Sequence, residues 1–100
     1  MNLQDDPAML AILEEFKRVL PLRLRELREA IRFRDHERVR LLAHQLKGAG
    51  GSYGQHAVSA AAMRVEIAAA ERAAMPQLLE AYEPLADAVA GAISSATDRG

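Results

Sequence analysis

The chain has 100 residues, half of them apolar, with 13 Lys and Arg against 14 Asp and Glu, a formal net charge of -1, and no cysteine. That length suits one domain, and the balanced charge excludes both the basic face of a nucleic-acid binder and a polybasic grip on an anionic membrane. Without cysteine there is no disulfide frame, thiolate nucleophile or thiolate metal site, and no apolar run approaches the ~20 residues that span a bilayer.

The first residues, Met1 to Asp6, include two aspartates and lack the cationic and then apolar opening of a signal peptide. A soluble cytoplasmic protein is therefore expected. Met1 and the frayed C-terminal end favour a stand-alone protein over a piece of a larger kinase, and a monomer is expected, a single domain over 1–100 with its core at about 7–96.

Asp5-Asp6-Pro7 reads as a helix start, with aspartate to cap the free N–H groups and proline at the first helical position. From there Met9, Leu13, Phe16, Leu20, Leu24, Leu27 and Ile31 recur at spacings of four and three, one stripe on a helix. The stripe keeps its phase across Pro21, which removes a backbone donor and crowds the preceding turn. Two helices in line, or one helix kinked there, are expected. The opposite face alternates Glu14, Lys17, Arg18, Arg25, Arg28, Glu29 and Arg32, the pattern of a solvated surface.

Phe33-Arg34-Asp35 ends this arm, and Asp35 can cap a second helix over about His36 to Gly51, whose apolar set is Val39, Leu42, Ala43, Leu46 and Gly50. Gly54 suits the left-handed residue that closes the next connection. A third helix, roughly Gln55 to Ala74, is alanine-rich. Val58, Ala61, Ala62, Val65 and Ala69 make one face, while Met63 and Ile67 lie on another. Burial between two neighbouring helices is expected to cover both. Met75-Pro76 marks a break, and a fourth helix from about Pro76 to Ala96 carries Leu78, Tyr82, Leu85, Val89, Ala92 and Ile93, with a kink expected at Pro84 and fraying at 97–100. No segment alternates with period two. The class is all-α, an antiparallel up-down four-helix bundle with an N-terminal helical extension kinked or broken near Pro21.

The second helix contains an anomaly. Gly48, Gly50 and Gly51 fall within its last turns, and each helix-interior glycine costs about 0.5–1 kcal/mol relative to alanine. Gly50 lies on the core face, where a missing side chain permits close helix packing. Gly48 and Gly51 lie on the face of His44, which points away from the core, with Lys47 one turn on at i+3. They clear space around an exposed imidazole. A neutral imidazole is a nucleophile at neutral pH. A phosphoryl group on it would bring about two negative charges, and Lys47 is placed to meet them with a charge-assisted hydrogen bond. Leu41 and Gln45, ringed by Arg40 and Lys47, are the candidate docking surface for a partner. His36 and His56 are expected to be surface or turn histidines. With His44 they do not share the i, i+4 face of a helical metal site, and no phosphate-cradling GxxxxGK[ST] sequence is present.

Ala43-His44-Gln45-Leu46-Lys47-Gly48-Ala49-Gly50-Gly51-Ser52-Tyr53-Gly54 resembles the signature of histidine-containing phosphotransfer (HPt) domains: His-x-Leu-Lys-Gly, then small residues, then a glycine ten positions past the histidine. Looser similarity runs from Asp6 to about Ile93 and takes in the Asp-Pro start, Pro21, Asp35 and Glu66. The run Gly50-Gly51 departs from the family pattern and questions how far the helix stays regular. The resemblance implies a four-helix bundle with an N-terminal extension. It also implies phosphorylation of His44, with Lys47 assisting the phosphoryl group and Gly48 giving a partner room. Such domains have no kinase or phosphatase activity of their own. They exchange phosphoryl groups with an aspartate on the receiver domain of a response regulator or hybrid histidine kinase, and the Mg²⁺ belongs to that partner, so no cofactor of this chain's own is expected.

Two rival readings remain open to test. A non-catalytic helical interaction module would bind through Met63, Ile67 or the alanine-rich helix, indifferent to His44. A histidine-kinase dimerisation domain would require an ATP-binding domain and an acidic residue directly after the histidine, where this chain has Gln45.

Overall fold

The computed structural model describes residues 6–97, and the side chains of 6–94. Four helices follow in order: α1 (Pro7–Arg32), α2 (His36–Ser52), α3 (His56–Ala70) and α4 (Met75–Thr97). α1 packs against α2 and α4, and α3 against the same two, so α1 and α3 stand on one diagonal of an up-down bundle and α2 and α4 on the other. The core is apolar throughout, with Leu20, Leu27, Ile31, Val39, Leu46, Val58, Val65, Leu78 and Leu85 essentially inaccessible. No polar or charged side chain is buried among the described residues.

Asp6 caps α1 by accepting from the Ala8 N–H at 3.0 Å; Asp5 and 98–100 lie outside the described residues. The helix runs unbroken through Pro21, and α4 runs unbroken through Pro84. Of the two expectations at Pro21, the division into two helices is absent and a single helix is present. Both prolines are exposed, so the carbonyl that each ring leaves without a helical donor can turn to water. The N-terminal extension is the first part of α1 itself. Phe16 stacks on Tyr53, the C-cap residue of α2, with ring centroids 4.3 Å apart. The residues before Phe16 thus project past the end of α2. At ~1.5 Å per residue α1 is about 39 Å long, which accounts for most of the 46 Å long dimension.

The three connections share one device. Each helix ends with a residue in the left-handed region, Arg34 (φ 57°), Gly54 (φ 72°) and Arg72 (φ 56°). Each is followed by a backbone bond five residues back: Asp35 to Ala30, Gln55 to Gly50 and Ala73 to Ala68. The companion bonds, Arg34 to Ile31, Gly54 to Gly51 and Arg72 to Ala69, complete three Schellman closures. Gly54 occupies the position expected of it. Arg72 shortens α3, which stops at Ala70 rather than near Ala74. Alanine propensity favoured continuation, and the closure overrode it.

Gly50 sets the α2–α3 distance. A Cβ there would stand 2.8 Å from the Ser59 backbone nitrogen and 3.0 Å from the Gln55 carbonyl. The run Gly50-Gly51 does not interrupt the helix, which continues to Ser52. On α3 the expected core face is buried, but Met63 and Ile67 are each 47 % exposed. The expectation that neighbours cover both faces of α3 is wrong. α2 and α4 flank the inner side only, and α1 stands diagonally across the core. His36 is also not an ordinary surface histidine. It is half-buried, and its Nε2 lies 2.8 Å from the Ala73 carbonyl. A carbonyl only accepts, so Nε2–H donates and ties the start of α2 to the α3–α4 connection. His56 is exposed, as expected.

Candidate functional site

The buried set of α2, Val39, Leu42, Ala43, Leu46 and Gly50, turns His44 outward. Its side chain is 61 % exposed. Asp35 anchors the start of the helix by accepting from the Arg38 N–H at 3.1 Å, and Ser59 on α3 donates to the Lys47 carbonyl at 3.0 Å. Together with the Gly50 contact, that bond fixes the register of α3 against α2. The register brings Glu66 of α3 level with His44.

Glu66 is the centre of the site's electrostatics. Its Oε2 lies 2.9 Å from His44 Nδ1, and its Oε1 lies 2.7 Å from Lys47 Nζ. The Glu66 side chain is only 17 % exposed. The hydrogen bond from Lys47, above all, holds the Glu66 carboxyl below the usual carboxylate range. Partial burial opposes this, and the bond to His44 adds to it. Glu66 is thus ionised at neutral pH and only accepts. His44 Nδ1 must then carry the proton. In the neutral ring the lone pair is left on Nε2, the nitrogen facing away from Glu66. The carboxylate selects the tautomer.

The other candidates take different places. Gly48 has nothing within 4 Å of where a Cβ would stand, and at Gly51 the nearest atom is the Ser59 Oγ at 3.9 Å. Both leave open space beside His44. Leu41 is 50 % exposed one turn before it. Arg40 is paired with Glu37 of its own helix at 3.5 Å. Gln45 does not join this group. It turns toward α1 and lines a groove of about 360 Å³ with Phe16, Val19, Leu20, Leu46, Ala49 and Tyr53. That groove lies on the flank of α2 opposite Glu66. Lys47 does not stand free to await an anion, because Glu66 already holds it.

Sequence reasoning noted Glu66 but gave it no role. The His44–Glu66 separation of 22 residues crosses a helix connection, so no helical spacing relates the two.

Among the described residues, no group of three histidine, aspartate or glutamate side chains gathers in a way that could hold a metal ion, and no helix is long and apolar enough to cross a membrane. A family model described as the Hpt domain matches residues 11–95. No curated protein and no solved structure matches the chain significantly.

Proposed function

The chain belongs to the Hpt domain family, whose members transfer phosphoryl groups in two-component signalling, and on that premise we propose that His44 is its phosphoryl carrier. The observation behind this reading is the bond from His44 Nδ1–H to Glu66, which leaves the Nε2 lone pair directed outward on an exposed ring. Nε2 attacks the phosphorus of an aspartyl phosphate on the receiver domain of a response regulator or hybrid kinase. The N–P bond forms as the donor's P–O bond breaks, and the aspartate carboxylate departs with the bonding pair. The imidazole keeps its Nδ1 proton and becomes cationic, and the Glu66 carboxylate lies against that charge. Transfer onward reverses the step, the electron pair returning to Nε2.

Lys47, held by Glu66 at 2.7 Å one turn away, keeps further ammonium N–H donors that can turn to the phosphoryl oxygens. Gly48 and Gly51 let the partner's backbone approach. The carrier has no kinase or phosphatase activity of its own and needs no cofactor. The receiver domain brings its own Mg²⁺, and the exchange takes place in the cytoplasm. The test is to incubate the chain with a phosphorylated receiver domain and follow acid-labile, base-stable label. Label should appear on the wild type and vanish in His44→Gln. Uptake by His44→Gln refutes the assignment. Gly48→Glu should block transfer while leaving the helical circular dichroism unchanged.

A further inference from the structure

The outward faces of α1 and α4 carry opposite charge. On α1, Arg25, Arg28 and Arg32 follow at spacings of three and four, and on α4 Glu80, Glu83 and Asp87 repeat the same spacings. Such spacing keeps each triad on one face of its helix. All six side chains are exposed, and among the described residues none of them is in an ion pair. Glu29 lies among the arginines in a shallow surface hollow without pairing to them. α4 contains no lysine or arginine. Like charges at i+3 and i+4 repel on a helix surface, so each triad is unfavourable within its own helix and finds no relief within its own chain. The triads also stand level, on one side of the bundle. α1 and α4 are antiparallel neighbours. The Tyr82 hydroxyl at their seam is pushed up by burial above all, and both Arg28 and Glu83 act on it. This side lies opposite the α2–α3 side, where His44 meets Glu66. Beyond Asp87 the outward face of α4 continues as Ala90 and Gly91, both exposed, so no bulky side chain there holds a second helix away.

We infer that the α1–α4 side binds a second copy of this chain in a two-fold dimer, α1 of each copy against α4 of the other. Charge complementarity selects the occupant. A partner surface of one sign would satisfy one triad and repel the other, whereas a second copy satisfies both. A two-fold axis along the bundle keeps every residue at its own level, so α1 meets the second copy's α4 in antiparallel order. Arg25 then faces Asp87, Arg28 faces Glu83 and Arg32 faces Glu80 of the second copy. The axis repeats all three pairs, so the contact is isologous and closes on itself. Exposed ion pairs contribute little one by one. The triads span only about two turns of each helix, short of the roughly 800 Å² per partner of a standard interface. The dimer is therefore weak, sensitive to salt and formed at high protein concentration, in place of the monomer expected from the sequence. Both His44 rings stay on its outer sides, and the inference does not rest on the phosphocarrier reading.

Sedimentation velocity over a range of protein and salt concentrations tests this. In about 0.01 M salt the wild type should form a dimer and nothing larger. Its dissociation constant should rise at least tenfold in about 1 M salt, as the screening length falls from about 30 Å to about 3 Å. The charge-reversed triples R25E/R28E/R32E and E80R/E83R/D87R should each be monomeric. An equimolar mixture of the two should restore the dimer, because each reversed face then meets its complement. The neutral triples R25Q/R28Q/R32Q and E80Q/E83Q/D87Q add no repulsion within a chain and should each weaken the dimer at least tenfold. They decide the matter if a reversed triple loses its helical circular dichroism. The inference is overturned by a wild type that stays monomeric in low salt, by a dimer indifferent to salt, or by neutral triples that dimerise as the wild type does. A mixture of folded reversed triples that remains monomeric overturns it as well. Assembly beyond the dimer would replace the closed two-fold contact with an open chain and refute the arrangement.

Discussion

Glu66 on α3 holds His44 on α2 through Nδ1, 2.9 Å away, while its other oxygen holds Lys47 at 2.7 Å. One carboxylate therefore sets both which ring nitrogen of His44 keeps the lone pair and the position of the nearest cation. A charge-assisted bond of this kind is worth about 1.5–3 kcal/mol.

Removing that carboxylate should slow the chemistry without abolishing it. In Glu66→Ala the ring is free to carry its proton on either nitrogen, and Lys47 loses its partner. Labelling of His44 by phosphoramidate is expected to fall roughly tenfold, about 1.4 kcal/mol of barrier. Glu66→Gln retains an acceptor oxygen without the charge and should fall between Glu66→Ala and wild type. Nitrogen NMR of the imidazole checks the cause. The wild-type ring should show the proton on Nδ1, and Glu66→Ala a mixture. A wild-type ring protonated on Nε2 would refute the tautomer argument.

The depressed titration of Glu66 makes stability depend on pH in a defined direction. The folded carboxyl binds its proton at lower pH than the unfolded one, because the Lys47 bond favours its charged form. The stabilisation is complete above the ordinary carboxylate range, near pH 4.3 for glutamate. It is lost as pH falls from there through the lower folded value. Chemical denaturation of wild type and Glu66→Gln should show a constant stability gap at neutral pH that narrows in acid below that range. A gap that widens in acid would contradict this assignment.

Two glycines of α2 should respond oppositely to alanine. At Gly50 the added methyl meets backbone atoms at 2.8 and 3.0 Å, which cannot rotate away as a side-chain tip can. Gly50→Ala must push α3 outward and should cost about 1–3 kcal/mol. At Gly48 nothing lies within 4 Å, so Gly48→Ala should be neutral or stabilise by about 0.5–1 kcal/mol. Thermal melts of the two variants decide this, and a destabilised Gly48→Ala would mean that Gly48 has a structural role.

Arg34 and Arg72 hold left-handed backbone with φ of 57° and 56°, a conformation that costs an ordinary L-residue about 1–2 kcal/mol. Glycine relieves that strain and gives back part of the gain as unfolded-chain entropy. Arg34→Gly and Arg72→Gly are each expected to stabilise by about 0.5–1 kcal/mol, read as a higher denaturation midpoint. The corresponding Gly54→Ala should destabilise, since its φ is 72°.

Much of this molecule is written locally. The stripes of α2 and α4 are buried nearly as their spacing requires, because a 3.6-residue period alone decides which side chains share a face. The outward direction of His44, the open space at Gly48, the core role of Gly50 and the left-handed Gly54 also follow from residues within a turn or two of one another. What the sequence could not decide concerns groups far apart in the chain. Pro21 interrupts a helix only where the carbonyl it leaves without a donor finds no other partner, and the bundle places Pro21 on an exposed face. Met63 and Ile67 lie outside the core because α1 and α3 stand on a diagonal, a matter of how four helices close into a ring. The pairing of Glu66 with His44 and Lys47 depends on the register of two antiparallel helices, fixed by the Gly50–Ser59 approach and the bond from Ser59 to the Lys47 carbonyl. The exposed histidine was legible because a helix displays its own faces. Its tautomer was not, because a carboxylate from another helix imposes it.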